Sequence, residues 1–238
     1  MGCAECARTW TCAYKAALHL WPMPSSKSPS HARTNGRGRA AAAKKPAPRA
    51  PKGQPSHEVR IIGGQWRRTR LKVLDKPGLR PTPDRVRETL FNWLGQDLSG
   101  WRCLDAFAGT GALGLEAASR GAASVQLVEQ DAGLVARLGQ LCQRLQARAV
   151  QVRRGDGMAA LQQCAPASQD LIFLDPPFES PLFQPALQAA ARALAPKGFV
   201  YLEAPTQWNA EALAPLGLAP HRHLKAGAVH AHLLQPLA

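Results

Sequence analysis

The chain is short of acid and has no long apolar stretch. It carries 16 Asp and Glu against 30 Lys and Arg in 238 residues. No apolar run approaches the roughly 20 residues that a membrane-spanning helix needs. A secretory signal is also missing: Ala13 to Trp21 is interrupted by Lys15 and His19, and no clear small-residue cleavage site follows. Cys6 stands where a myristoylation motif wants Ser or Thr. The six cysteines, at 3, 6, 12, 103, 142 and 164, form no disulfide framework. Cys3 and Cys6 have metal-ligand spacing but no second pair, so no metal site is expected. Cys103 and Cys142 sit in apolar or amphipathic stretches and read as reduced core residues. Internal repeats are absent. These absences leave a cytoplasmic protein without a membrane partner, of a length that holds one substantial domain and a tail.

What is present is an uneven charge. The net charge is +14. Residues 1–57 hold ten Lys/Arg and one acid, residues 58–87 hold nine and three, and residues 88–238 hold eleven and twelve. The basic excess therefore precedes a nearly neutral domain, as suits a polyanion partner.

Three regions follow. Residues 1–57 form a basic extension, rich in Pro, Ser, Gly and Ala from 22 onward, that is expected to be disordered. Residues 58–98 are expected to supply an RNA-facing hairpin, Val59 to Gly63 with Thr69 to Leu74, and a helix. Thr82-Pro83 predicts that helix's N-cap and first position. Residues 99–238 alternate in type. Strands are predicted over 101–105, 124–129, 149–153, 170–175 and 198–203. Helices are predicted over 111–120, 131–146, 157–164, 182–194 and 207–214. That rhythm implies an α/β doubly wound sheet, mostly parallel, with helices on both faces. Leu218 to Leu224 and Ala228 to Leu234 have no helix between them and read as an antiparallel edge hairpin.

Two loops carry the chemistry. The first is Asp105-Ala106-Phe107-Ala108-Gly109-Thr110-Gly111, where a strand turns sharply into a helix. Glycine lets backbone approach a ligand with no Cβ in the way. The loop lies at the strand's C-terminal end, the default ligand crevice of open parallel sheets. Gly109-x-Gly111-x-x-Gly114 also matches a dinucleotide loop, but Asp105 would repel a pyrophosphate. It suits the ammonium of S-adenosylmethionine (SAM) instead. Glu129 ends the next strand and is placed for ribose hydroxyls; Asp156 follows the third strand and is placed for the adenine amine. The competing reading makes Glu129 and Asp156 ordinary helix N-terminal acids.

The second loop is Asp175-Pro176-Pro177-Phe178, after the fourth strand. A nucleobase amine is a weak nucleophile because its lone pair is delocalised into the ring. Two acceptors on its N–H bonds, the Asp175 carboxylate and the Pro176 carbonyl, would localise and aim that pair. Proline fixes φ, so the carbonyl is held rigidly. Phe178 offers a face on which the base can stack.

At these residues the chain resembles the bacterial methyltransferases that modify the 2-amino group of guanine-966 in 16S ribosomal RNA. The resemblance covers 59–205. It rests on Arg60-Ile61-Ile62-Gly63-Gly64, the block Leu79 to Leu94, Leu104 to Ala117, Ser119 to Ala122, and Phe173 to Phe178. Asp-Pro-Pro-Phe alone marks amino-group methyltransferases in general; the block from Arg80 to Leu94 narrows it to this family. The resemblance implies a Rossmann-like class I SAM-dependent domain of seven strands. It implies a 16S rRNA or 30S assembly-intermediate substrate, and a monomer is expected. Arg60, Arg67, Arg68, Arg70, Arg80, Arg85 and Arg87, with Lys72, are expected to hold the RNA; the competing reading pairs several of them with Asp75, Asp84 or Glu88. Three other functions compete: an amino-group methyltransferase on DNA adenine or protein glutamine, an RNA-binding assembly factor with a vestigial domain, and a nicotinamide oxidoreductase. Asp175, where the DNA and protein enzymes usually carry Asn, and the acids at 105, 129 and 156 weigh against them.

Overall fold

The computed structural model describes residues 58–73 and 81–237. The predicted disorder of residues 1–57 and the position of Arg80 lie outside the described residues. The hairpin consists of β1 (Glu58–Arg60) and β2 (Arg70–Lys72), paired antiparallel. Helix α1 (Asp84–Leu94) follows, then β3 (Arg102–Asp105), α2 (Ala112–Ser119), β4 (Ser124–Glu129) and α3 (Ala132–Leu145). The second half runs β5 (Val150–Arg154), α4 (Gly157–Gln163), β6 (Gln169–Leu174), α5 (Phe183–Ala193), β7 (Leu194–Ala204) and α6 (Ala210–Leu213). After a short 3-10 turn, β8 (Leu218–Ala226) and β9 (Val229–Pro236) close the chain.

Seven strands form one sheet in the order β5-β4-β3-β6-β7-β9-β8. The first five are parallel; β9 runs antiparallel to both β7 and β8. The chain crosses from β3 outward to β4 and β5, then returns to lay β6 on the other side of β3. This reversal opens a crevice beyond the C-terminal ends of β3 and β6, where ligands bind in such sheets.

The strands form because apolar runs such as Leu171-Ile172-Phe173-Leu174 are wholly buried between two helix layers. One layer packs Leu90, Phe91, Leu115, Phe173 and Tyr201 together with Val59, Ile61 and Leu71 of the hairpin region. The other packs Ile172, Leu187, Leu202 and Leu213. Each such side chain contributes about 1.5–3 kcal/mol on burial. The hairpin and α1 therefore share a core with the sheet. Every residue of α2 is buried. Its Ala, Gly and Ser side chains let it lie close against both the sheet and the hairpin.

Arg87 is a correction to the sequence reading. It was expected to face RNA, but it is fully buried. Its guanidinium meets Asp84 at 2.5 Å, Glu116 at 3.3 Å and the Arg60 carbonyl at 2.9 Å. Its position inside α1, on the same face as Leu90 and Leu94, turns it into the core. Thr82 is a second correction. It does not cap α1, whose N-cap is Pro83 with no side-chain bond. The Thr82 hydroxyl instead donates to Glu203 at 2.5 Å.

Candidate active site

The loop after β3 is held by its neighbours. Ala106 N–H donates to the Phe173 carbonyl on β6, and Ala108 N–H to the Val128 carbonyl on β4. Gly109 and Gly111 both adopt positive φ, 52° and 77°, a conformation that costs glycine little. Gly111 forms the N-terminal boundary of α2, and a Cβ there would meet Leu138 at 2.6 Å. Thr110 is half-buried beside it, Ala106 is buried, and Phe107 packs its ring on the second core.

Asp105 ends β3 at 3% exposure. Its Oδ2 accepts from Gly114 N–H at 3.1 Å, the first turn of α2. Burial pushes its carboxyl up to about 7, against backbone donors at Gly114 and Phe107 and with help from the Glu129 and Glu203 charges. Glu129 accepts from Gly109 N–H at 2.9 Å and Asp131 N–H at 2.8 Å. Asp156 caps α4 through Ala159 N–H at 2.8 Å and takes the Gln130 amide at 2.7 Å. For Asp156 the helix-terminus reading therefore describes the observed contacts. Both acids still stand beside the crevice at the ends of β4 and β5.

Asp175 follows β6, half-buried, with no hydrogen-bond partner among the described residues. Its carboxyl is held well above the usual range by burial first, then by Glu203 and Asp105. Pro176 is buried and Pro177 exposed. The Pro177 carbonyl takes both the N–H and the hydroxyl of Ser180, at 3.0 and 2.6 Å, which closes a turn. Phe178 stands 37% exposed on that turn.

Sequence reasoning missed Glu203. It is buried at the end of β7 and accepts from Thr82 and, at 3.0 Å, from Tyr201. Burial raises its carboxyl, offset by those two hydroxyls and by Arg87. The signal was available: Glu203 ends a predicted strand, as Asp105, Glu129 and Asp175 do. Asp105, Asp175 and Glu203 thus crowd three carboxyls into one crevice, and their mutual repulsion on ionising adds to burial in favouring the protonated forms. A cationic ligand would relieve that repulsion, and the donor set fits the ammonium and sulfonium of SAM.

Of the expected RNA ligands, Arg67, Arg68 and Arg85 are exposed. Arg60 lies 3.6 Å from Asp84, and Arg70 lies 3.1 Å from Glu58; both side chains are largely exposed. Between the hairpin and α3 runs a cleft of about 910 Å³. Arg70, Lys72, Arg137 and Arg144 line it, and Gly109 and Thr110 reach it from the cofactor loop. Arg137 and Arg144 were not singled out from the sequence; they are the two charged residues of α3, in a domain that is nearly neutral as a whole.

Residues 59–235 match the family model described as conserved hypothetical protein 95. The ribosomal RNA small subunit methyltransferase D of Escherichia coli K12 is 41% identical over 182 residues, 76% of this chain and 91% of that one. Its namesake in Haemophilus influenzae is 42% identical over 153 residues, 61% of this chain and 78% of that one. The solved methyltransferase yhhF of Escherichia coli superposes with a TM-score of 0.65 at 37% identity, covering 75% of this chain and 98% of that one. The crevice, its two loops and these matches agree: the chain belongs to the ribosomal RNA small subunit methyltransferase D family and is a Rossmann-like methyltransferase.

Proposed function

We propose that the protein transfers a methyl group from SAM to the exocyclic 2-amino group of guanine-966 in 16S rRNA, acting as a monomer on the small subunit or its assembly intermediate. The observation that carries this reading is the adjacency of the two loops. β3 and β6 are hydrogen-bonded neighbours, with Asp105 in register with Phe173, so Asp175 emerges beside the glycine loop.

SAM, when bound, supplies an electrophilic methyl on sulfur. Asp105, Ala106, Phe107, Gly109, Thr110, Gly111, Glu129 and Asp156 would hold it. Asp175 and the Pro176 carbonyl would accept the two amine N–H bonds and orient the lone pair, while Phe178 stacks the base. This is positioning and electrostatic catalysis. Burial and the neighbouring acids favour the protonated Asp175 in the free site; the sulfonium beside it would favour the carboxylate, which could accept the amine N–H and then the proton that the methylated amine must lose. The half-buried site limits competing contact with water. The exposed hairpin arginines and the basic cleft beside Gly109 and Thr110 support an RNA path that ends at the crevice.

The test is nucleoside mass spectrometry of 16S rRNA. Purified protein and SAM are added to small subunits from a strain lacking the gene. One N2-methylguanosine at guanine-966 is expected; methylation elsewhere, or of adenine, refutes the reading.

A further inference from the structure

The edge hairpin carries a histidine cluster that methyl transfer does not use. His223 lies on β8 and pairs in register with His232 on β9; His230 stands two residues before His232, on the same face. One ring nitrogen from each lies within 4.8 Å of the others. His223 Nε2 and His230 Nδ1 are 3.0 Å apart. Two imidazoles on one tetrahedral ion at zinc's usual bond length sit about 3.4 Å apart, so the His223–His230 pair is near that spacing and the third nitrogen must close in from within 4.8 Å.

We propose that His223, His230 and His232 form a binding site for a divalent transition-metal ion of the zinc class. Three imidazole nitrogens would be the ligands and water the fourth. The His232 ring has the right tautomer. Trp208 N–H donates to its Nε2 at 3.0 Å, so the neutral ring carries its proton on Nδ1 and keeps the Nε2 lone pair. Nδ1, buried, has no partner of hydrogen-bond geometry. The Leu202 and His230 backbones also act on this ring, and the Trp208 N–H is the contact that an ion on Nε2 would replace. The facing cation is Lys225, in register with His230 and exposed, free to swing into water.

The site is separate from the crevice. His232 is in register with Leu202, while Glu203 pairs with Ala231, so the two lie on opposite faces of the sheet. The metal would tie β8, the outer edge strand, to β9.

The experiment uses the full chain, stripped with a chelator and titrated with Co2+ and Zn2+. One equivalent of Co2+ should bind, with visible ligand-field bands and no near-ultraviolet thiolate band. That band would instead place the ion on cysteine and overturn the proposal. Zn2+ at a hundredfold excess over Kd should raise the melting midpoint by about 5–10 °C. His223→Ala/His230→Ala should weaken Co2+ binding about a hundredfold or more. Both side chains are at least partly exposed, so the fold should survive, and SAM affinity reports on it. Absence of saturable 1:1 binding, or unchanged binding in the double variant, refutes the site.

Discussion

Replacing Asp105 with Asn tests the cofactor assignment most directly. Asp105 is buried, yet its carboxyl is expected to meet the cofactor's ammonium as an anion. Burial sets its pKa near 7, so the free protein at pH 6 has about one tenth of this group ionised. Binding a cation must then release a proton, and each pH unit below 7 should cost about tenfold in SAM affinity, or about 1.4 kcal/mol. Above about pH 8 the ammonium of SAM itself deprotonates, so affinity should fall again and the profile be bell-shaped. Asp105→Asn keeps an oxygen for Gly114 N–H but removes the charge. It should bind more weakly at pH 7.5 and lose the acid limb. Calorimetry in two buffers of different ionisation enthalpy counts the protons directly. The same linkage acts on folding. The folded carboxyl holds a proton that the unfolded one has lost, so the apo protein should lose stability as pH rises from about 4 to about 7. Equal SAM affinity of the wild type at pH 5.5 and 7.5, without proton release, would refute the reasoning.

Asp175→Ala should bind SAM nearly normally while its single-turnover rate falls by the equivalent of about 2–4 kcal/mol; quench-flow methylation of small subunits measures this. Phe178→Ala should lose about 1–3 kcal/mol, seen as weaker RNA binding with SAM affinity unchanged in calorimetry. Reversing charge at Arg67, Arg68 and Arg70 should weaken RNA binding and flatten its salt dependence while sparing SAM, since all three are exposed on the hairpin side; filter binding across a salt series checks it. Glu116→Ala strands the buried Arg87 and Arg120 guanidiniums and should destabilise the fold by about 3–5 kcal/mol, measured by denaturant unfolding.

The sheet was legible because its strands are apolar runs closed by Gly, Pro or acid. Leu171 to Leu174 and Ser124 to Glu129 are such runs, and the strand boundaries fell within a few residues of those expected. β7 was the exception: it begins at Leu194, ahead of the expected 198, and runs through Pro196 and Gly198, which read locally as a turn. The pairing with β6 shifts register there, which accommodates them. The two loops were legible because their chemistry is local. What depended on distant contacts was not. Nothing near Arg87 in the chain reveals that Glu116 waits for it 29 residues on. Thr82 looked like a cap because its partner, Glu203, lies 121 residues away. Charge type alone could not separate arginines that meet solvent from Arg87 and Arg120, which meet the core.

Glu116 also accepts from the backbone N–H groups of Ile62 and Gly63, at 2.8 and 2.7 Å, at the foot of the hairpin. It lies on α2, whose first turn binds Asp105. About 8 Å of helix thus separates the clamp on the hairpin from the loop that would seat the cofactor. The two grips cannot drift independently. On the proposed reading the enzyme would work like a machinist's jig: phosphates seated on the arginines would fix which nucleotide stands at the crevice, and a base one step along the strand would be out of reach however well it could stack. Selection of the target then becomes a measurement of length, and lengthening the link between Ile62 and β2 should change which nucleotide is reached before it changes the chemistry.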